Sequence, residues 1–247
     1  MLARLTHLRT LGALDVKSLG RDGLLRGMLV LPLVIALAAR LALPVVLQRL
    51  EASLDIDLLV YYPRIMSSAL LLITPVIYGG VIGFLLLDQR DTRILMALQV
   101  TPLSLKRYLL ERLAAPMLIS LVLTPVALVA AGLAQLPLPA LMLPVLAAVP
   151  LAPLCALMLV AFAENKVQGL ALVKGTSLAM IAPLGASWVP VPWRWAFGLL
   201  PTYWPVRLSD ELLTAQPTPW WPLLGGLLLD GILIGLLLRR FERVVHQ

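Results

Sequence analysis

Six long apolar stretches, separated by short polar joints, run along the chain at residues 28–47, 66–87, 109–133, 138–163, 172–188 and 220–238. Each comes near the ~20 residues that a helix rising about 1.5 Å per residue needs to cross about 30 Å of hydrocarbon. Charges inside them are few, and where there is no water only a helix or a closed barrel satisfies every backbone N–H and C=O. The pattern therefore predicts an all-α membrane protein with six transmembrane helices, built as a single transmembrane domain over residues 1–247. Ahead of the first stretch, Leu2, Leu5, Leu8, Leu11 and Leu14 recur three apart among Arg4, Arg9, Lys17 and Arg21, which predicts an amphipathic interfacial helix within 1–27.

Composition agrees with the pattern. Hydrophobic residues make up 60% of the chain and charged ones 13%, with a mean hydropathy of +0.94, whereas about a quarter of a soluble domain is charged. The net charge of +7 would suit nucleic acid, but the basic residues do not share one aromatic-laced face. They sort by joint instead. Arg4, Arg9, Lys17, Arg21 and Arg26, then Arg90, Arg93, Lys106, Arg107 and Arg112, then Lys166 and Lys174, then Arg239, Arg240 and Arg243 fall on alternate joints, leaving Arg40, Arg49, Arg64, Arg194 and Arg207 elsewhere. By the positive-inside rule both termini are cytoplasmic and the protein is a multi-pass component of the cell membrane. Ala36-Leu37-Ala38 has the form of a signal cleavage site, but the preceding charged segment is long for a signal peptide and the apolar run continues beyond it, so a retained span is expected. The single cysteine, Cys155, lies in the fourth stretch and is expected as a small core residue.

The joints differ. The first outer one, 48–65, is acidic through Glu51, Asp55 and Asp57 and is assigned no chemistry. Residues 88–112 form the longest charged joint, where Ile94, Leu95 and Leu98 suit a short helix ended by Thr101-Pro102, with a second helix starting at that Thr cap and Ser104 nearby. A helical hairpin on the cytoplasmic side, 88–107, follows, and its length favours a partner-docking role over a plain connection. At 164–176 the residues Gly169, Lys174, Gly175 and Thr176 imitate pieces of a phosphate loop in the wrong order, so no nucleotide binding is expected there and Lys166 and Lys174 read as snorkelling anchors. All six Trp, with many Pro, lie within 188–222, which predicts broken, partly re-entrant helices on the outer side at 188–219.

Two ionisable residues stand inside apolar stretches. Arg40 lies about 18 Å along the first span from Met28, and Asp230 about 13 Å from Arg239 along the sixth. An unpaired charge at mid-helix costs roughly 2.5–3.5 kcal/mol, so the two are expected to pair with each other or to face a polar cavity. Small-residue spacings at Gly79/Gly83, Gly225/Gly226 and Gly231/Gly235 allow close helix contact, either within the subunit or between subunits.

The order of elements resembles the permease subunit of a type-2 ATP-binding-cassette exporter over nearly the full chain, with drug-type exporters, including fluoroquinolone-export permeases, closest. The resemblance is carried by Asp15–Leu33 as a charged interfacial helix leading into a Pro-bearing span, by Gly83–Leu113 as an acidic coupling segment followed by Thr-Pro-x-Ser and a Tyr-bearing helix, by Phe162–Gly175, and by the Pro/Trp-rich 188–205. Asp88 and Asp91 stand where that family's coupling segment carries Glu. The resemblance implies a transport subunit that is not an enzyme, needs no cofactor or metal, and exports an amphiphilic small molecule. It implies two partners in the bilayer system, a cytoplasmic ATPase subunit and a second permease chain, identical or paralogous. It also implies that Asp88, Arg90, Asp91, Arg93, Thr101, Pro102 and Ser104 couple to the ATPase.

Other classes fit less well. His7 and His246 are the only histidines and sit at the two ends, so neither a zinc pair nor a Ser-His dyad can be assembled, and a lone Asp230 lacks the second carboxylate of an aspartyl mechanism. An ion-coupled secondary transporter relaying through Arg40 and Asp230 remains an alternative, although the halves 28–133 and 138–238 show no repeat. A non-transporting membrane anchor is the third reading.

Overall fold

A computed structural model describes residues 23–54, 57–91, 105–133, 137–186, 189–214 and 220–245. These form helices α1 (Gly23–Leu54), α2 (Tyr62–Asp91, preceded by a 3₁₀ turn Leu59–Tyr61), α3 (Leu105–Leu128, widening into a π turn Val129–Leu133), α4 (Leu138–Ala148), α5 (Leu151–Phe162), α6 (Lys166–Gly185), α7 (Val191–Arg194, with a 3₁₀ turn Trp195–Leu199), α8 (Tyr203–Leu213) and α9 (Trp221–Val245). The all-helical expectation holds for the described residues. Five stretches among them are long and apolar enough to cross a bilayer: Val30–Ser53, Leu59–Arg90, Tyr108–Leu133, Pro139–Phe162 and Trp221–Phe241. The expected amphipathic lead-in lies, up to residue 22, outside the described residues.

The expected span at 172–188 corresponds to α6, which is not among those five. It starts earlier because Asn165 caps it: the side-chain oxygen accepts from the Val167 and Gln168 N–H groups, both at 3.0 Å, satisfying two of the donors that a helix start orphans. The stretch 138–163 is a broken helix, α4 then α5. Pro153 has no N–H for the Val149 carbonyl, which instead accepts from Ala152 at 3.2 Å, while the Pro150 carbonyl starts α5 by accepting from Leu154 at 3.1 Å. In the 188–219 segment the expected short helices appear as α7 and α8.

Helix α2 is the axis of the bundle, packing most extensively on α5 and α3 and also on α1, α6 and α8. Close approach to α5 requires glycine. A Cβ on Gly79 would overlap the Ala152 carbonyl, and one on Gly83 would lie 2.7 Å from Leu159 Cδ1 and 3.1 Å from Ala156 Cα. The Gly79/Gly83 spacing therefore serves packing within the chain, whereas nothing lies within 4 Å of a Cβ built on Gly231 or Gly235. Two apolar clusters flank this contact. One joins Leu70, Leu71 and Leu72 of α2 to Ala127 and Leu128 of α3, Val145 of α4 and Leu154 of α5; the other joins Leu86 and Leu87 to Leu109 of α3, Leu157 and Leu159 of α5, and Phe241 of α9. Cys155 is buried in α5, as expected of a small core residue. Outward, α1 exposes Val34, Leu37, Leu41 and Val45, and α9 exposes Leu224, Leu228, Ile232 and Leu236. Apolar stripes three to four residues apart on two outer helices are what hydrocarbon solvates and water does not.

Candidate functional site

At the C-terminal end of α2, three consecutive residues reach three different helices. Asp88 forms an ion pair with Lys166 at the start of α6, 2.6 Å long and more than half exposed on both sides. The Gln89 side-chain oxygen accepts from the Tyr108 hydroxyl of α3 at 2.7 Å. Arg90 donates to the Val160 and Ala163 carbonyls at the end of α5, at 3.0 and 2.6 Å. Arg240 of α9 completes the junction, donating to the Ala161 carbonyl at 3.1 Å with its guanidinium 4.2 Å from the Phe162 ring centre. The last carbonyls of a helix have no partner within it and carry the negative end of its dipole, so two arginines converge there for a definite reason. Helix α2 thus runs past the expected span end at residue 87 and carries Asp88, Arg90 and Asp91 on its final turn. Arg93, Thr101, Pro102 and Ser104 lie outside the described residues.

The structure does not pair Arg40 with Asp230. Arg40 donates to the Ala130 carbonyl at 3.3 Å, beside the Tyr62 hydroxyl, which donates to the Ala131 carbonyl at 2.7 Å. Both acceptors sit in the π turn that ends α3, where Gly132 turns the chain at φ 93°, a value that L side chains rarely adopt. That turn frees backbone carbonyls, and an exposed arginine on α1 covers them. Asp230 instead faces inward on α9, one turn from buried Gly226 and only 1% exposed, and neither carboxylate oxygen has a hydrogen-bond partner among the described residues.

The other end of α2 carries a polar network to which the sequence reading attached no chemistry. Arg64 binds Asp210 of α8 with two parallel hydrogen bonds, Nε to Oδ1 at 2.7 Å and Nη2 to Oδ2 at 3.1 Å. One turn along, the Ser209 hydroxyl donates to that of Ser67 at 2.8 Å, both buried. Arg207 bonds Glu211 Oε1 at 3.0 Å, and its guanidinium lies 5.0 Å from the Trp195 ring centre and 4.5 Å from that of Trp221. Trp204 is buried beside them against Gly225 and Gly226, where a Cβ would come within 3.1 and 2.8 Å of its ring and its Cβ respectively. Arg64, Arg207, Asp210 and Glu211 of this network line a cavity of about 350 Å³. The Arg207/Glu211 spacing of four on one helix was a readable signal; the Arg64–Asp210 pair, 146 residues apart, had none. Among the described residues no group of three or more His, Cys, Asp or Glu could hold a metal ion.

Residues 15–238 match the family model described as fluoroquinolones export permease protein Rv2686c-like. The chain belongs to that family. Two curated relatives in the Rv2686c-like family, fluoroquinolones export permease protein MT2760 of Mycobacterium tuberculosis strain CDC 1551 / Oshkosh and Rv2686c of strain ATCC 25618 / H37Rv, are each 29% identical over 238 residues, covering 95% of this chain and 94% of theirs. No solved structure matches. Membership in an export-permease family makes this a membrane transport subunit, and the matched stretch contains both ends of α2 together with all of α8.

Proposed function

We propose that this chain is the membrane-spanning subunit of an ATP-driven ATP-binding-cassette exporter that moves amphiphilic, fluoroquinolone-like molecules out of the cytoplasm. The observation that carries the reading is the family match over 15–238, and the Asp88–Arg90 junction is what supports its mechanical half. A separate ATPase subunit docks on the segment 88–107 and on the N-terminal lead-in, with both chain termini cytoplasmic. Two permease chains enclose the path, and α6 serves as the sixth crossing, its 20 residues being long enough at about 1.5 Å each. Movement of the docked segment reaches α3, α5 and α6 through Gln89, Arg90 and Asp88, so ATPase closure biases the bundle between inward-open and outward-open arrangements.

The test is uptake of a fluoroquinolone into inside-out vesicles holding the permease and an ATP-binding-cassette ATPase that co-purifies with it. Uptake is expected with ATP and absent with a non-hydrolysable analogue. Uptake that follows an imposed proton gradient without ATP would overturn the reading in favour of ion coupling. Asp230→Asn sharpens the choice: the ATP-driven reading expects uptake to persist at unchanged folded yield, whereas a carboxylate relay expects it to vanish.

A further inference from the structure

The cavity beside α8 is built around an arginine whose position is fixed and whose donors are only partly used. A guanidinium has five N–H donors. In Arg207 one reaches Glu211 Oε1 at 3.0 Å and one the Tyr203 hydroxyl at 3.4 Å, and no other acceptor bonds it among the described residues. The Trp195 and Trp221 ring centres lie 5.0 and 4.5 Å from its Cζ and 5.7 Å from each other, so both indoles back the same side of the guanidinium, and the side chain is 22% exposed and lines the cavity. The wall carries Arg64, Arg194 and Arg207 against Asp210 and Glu211, an excess of one positive charge. Arg64 is paired with Asp210 and Arg207 with Glu211, so the excess belongs to the wall as a whole, and Arg207 contributes to it the donors that Glu211 does not use. Pro183, Ala186 and Val206 add apolar surface to the same lining.

We propose that this cavity is a binding site for the anionic group, carboxylate or phosphate, of an amphiphile, with Arg207 as the residue that grips it. The guanidinium fork matches either group with two hydrogen bonds. The two indoles, Glu211 and Tyr203 hold the side chain in one rotamer, so little conformational entropy is lost when the ligand arrives. About 350 Å³ is within the roughly 300–1,000 Å³ of small-molecule pockets. The anion has two sources, the carboxylate of an exported cargo or the phosphate of a lipid headgroup, and the cargo arm rests on the export reading above.

The experiment uses the full chain in phosphatidylcholine nanodiscs, without ATPase. Binding of ciprofloxacin and of its methyl ester is measured by calorimetry, and retention of phosphatidylglycerol through delipidation by native mass spectrometry. If the anion is a cargo carboxylate, ciprofloxacin binds about 10-fold or more tighter than the ester, and Arg207→Gln removes that preference, as expected for lost charge-assisted hydrogen bonds. If it is a headgroup phosphate, phosphatidylglycerol is retained by the native chain and lost from Arg207→Gln. Ala186→Phe, which fills the apolar wall and leaves Arg207 in place, reduces whichever binding is found. Thermal melts establish that both variants are folded. Binding of acid and ester alike together with no Arg207-dependent lipid retention, or binding that folded Arg207→Gln leaves unchanged, overturns the site. Because no ATP is involved, Arg207-dependent binding without ATP-driven uptake would sink the export reading alone.

Discussion

Both ends of α2 are fastened by an arginine, and the two fastenings differ in kind. Arg90 donates to backbone carbonyls of α5, whereas Arg64 is locked to both oxygens of a single side chain, Asp210. A helix terminus offers several unpartnered carbonyls along its last turn, so a long donor can step from one to the next while the helices shift. A bidentate guanidinium–carboxylate pair has one geometry and one partner. The Arg64 end is therefore the rigid anchor of the bundle and the Arg90 end the compliant one. In the export reading, the compliant end is the one beside the docked segment.

The strongest way to break this comparison is to separate α2 from α5 midway between its ends. Gly79→Leu places side-chain atoms where the Ala152 carbonyl stands, and no rotamer relieves an overlap that begins at Cβ. Backbones must move apart, at a cost of about 3 kcal/mol or more. Loss of monodisperse protein on size-exclusion chromatography is expected, and recovery of native yield would show that the two ends do not share a rigid axis.

Next in size is the rigid end. Asp210→Asn removes the charge that balances Arg64, whose side chain is 29% exposed and that of Asp210 16%. Breaking a fully buried pair costs about 3–5 kcal/mol; partial exposure reduces the expectation to about 1–3 kcal/mol, read as a lower melting temperature in detergent. Arg64→Lys is expected to recover little, since an ammonium cannot repeat the two parallel bonds. A double variant, Arg64→Gln with Asp210→Asn, should be less destabilised than the sum of the singles.

This ranking also marks what the sequence alone could carry. Apolar runs of bilayer length located the five helices long and apolar enough to cross a bilayer, because length and hydropathy are local properties, whereas the acidic-basic string after Leu87 reads as a docking hairpin and gives no sign of the contacts that Asp88, Gln89 and Arg90 make with α6, α3 and α5. Helix edges were less legible where the start signal is one residue: Asn165 caps α6 from within a string that reads as loop. The break at Val149–Pro150 follows from Pro150 and Pro153, yet an unbroken hydropathy profile hides it. Arg64 lay in a joint with no motif and Asp210 beyond a Trp-rich segment, so only tertiary packing brings them together. Pairing of Arg40 with Asp230 was one of two expectations because each is costly alone, but a π turn that no hydropathy pattern reveals supplies Arg40 with the Ala130 carbonyl instead.

The compliant end gives a smaller effect and a different substitution pattern. Arg90→Ala forfeits two hydrogen bonds from a charged donor, about 1–2 kcal/mol when the freed carbonyls regain water. Arg90→Lys should recover roughly half of the lost melting temperature, because one ammonium still reaches one carbonyl. That contrast with Arg64→Lys is the direct test of the two kinds of fastening: equal failure of lysine at both ends would mean that Arg90, too, requires a fixed geometry.

The smallest effect is expected at Lys166. Its pair with Asp88 is short, 2.6 Å, but both side chains are more than half exposed, and exposed pairs contribute about 0–1 kcal/mol at most ionic strengths. Lys166→Ala should shift the melting temperature by no more than the measurement error at ~0.15 M salt, where a Debye length of about 8 Å screens such charges. A pair that adds so little to stability is one whose acidic member can exchange partners at small cost, which is the property a residue needs if a docking subunit is to compete for it. In the export reading Lys166→Ala should therefore leave folding unchanged while altering the salt dependence of ATPase co-purification, and a variant that melts several degrees lower would instead make Asp88–Lys166 a structural tie like Arg64–Asp210.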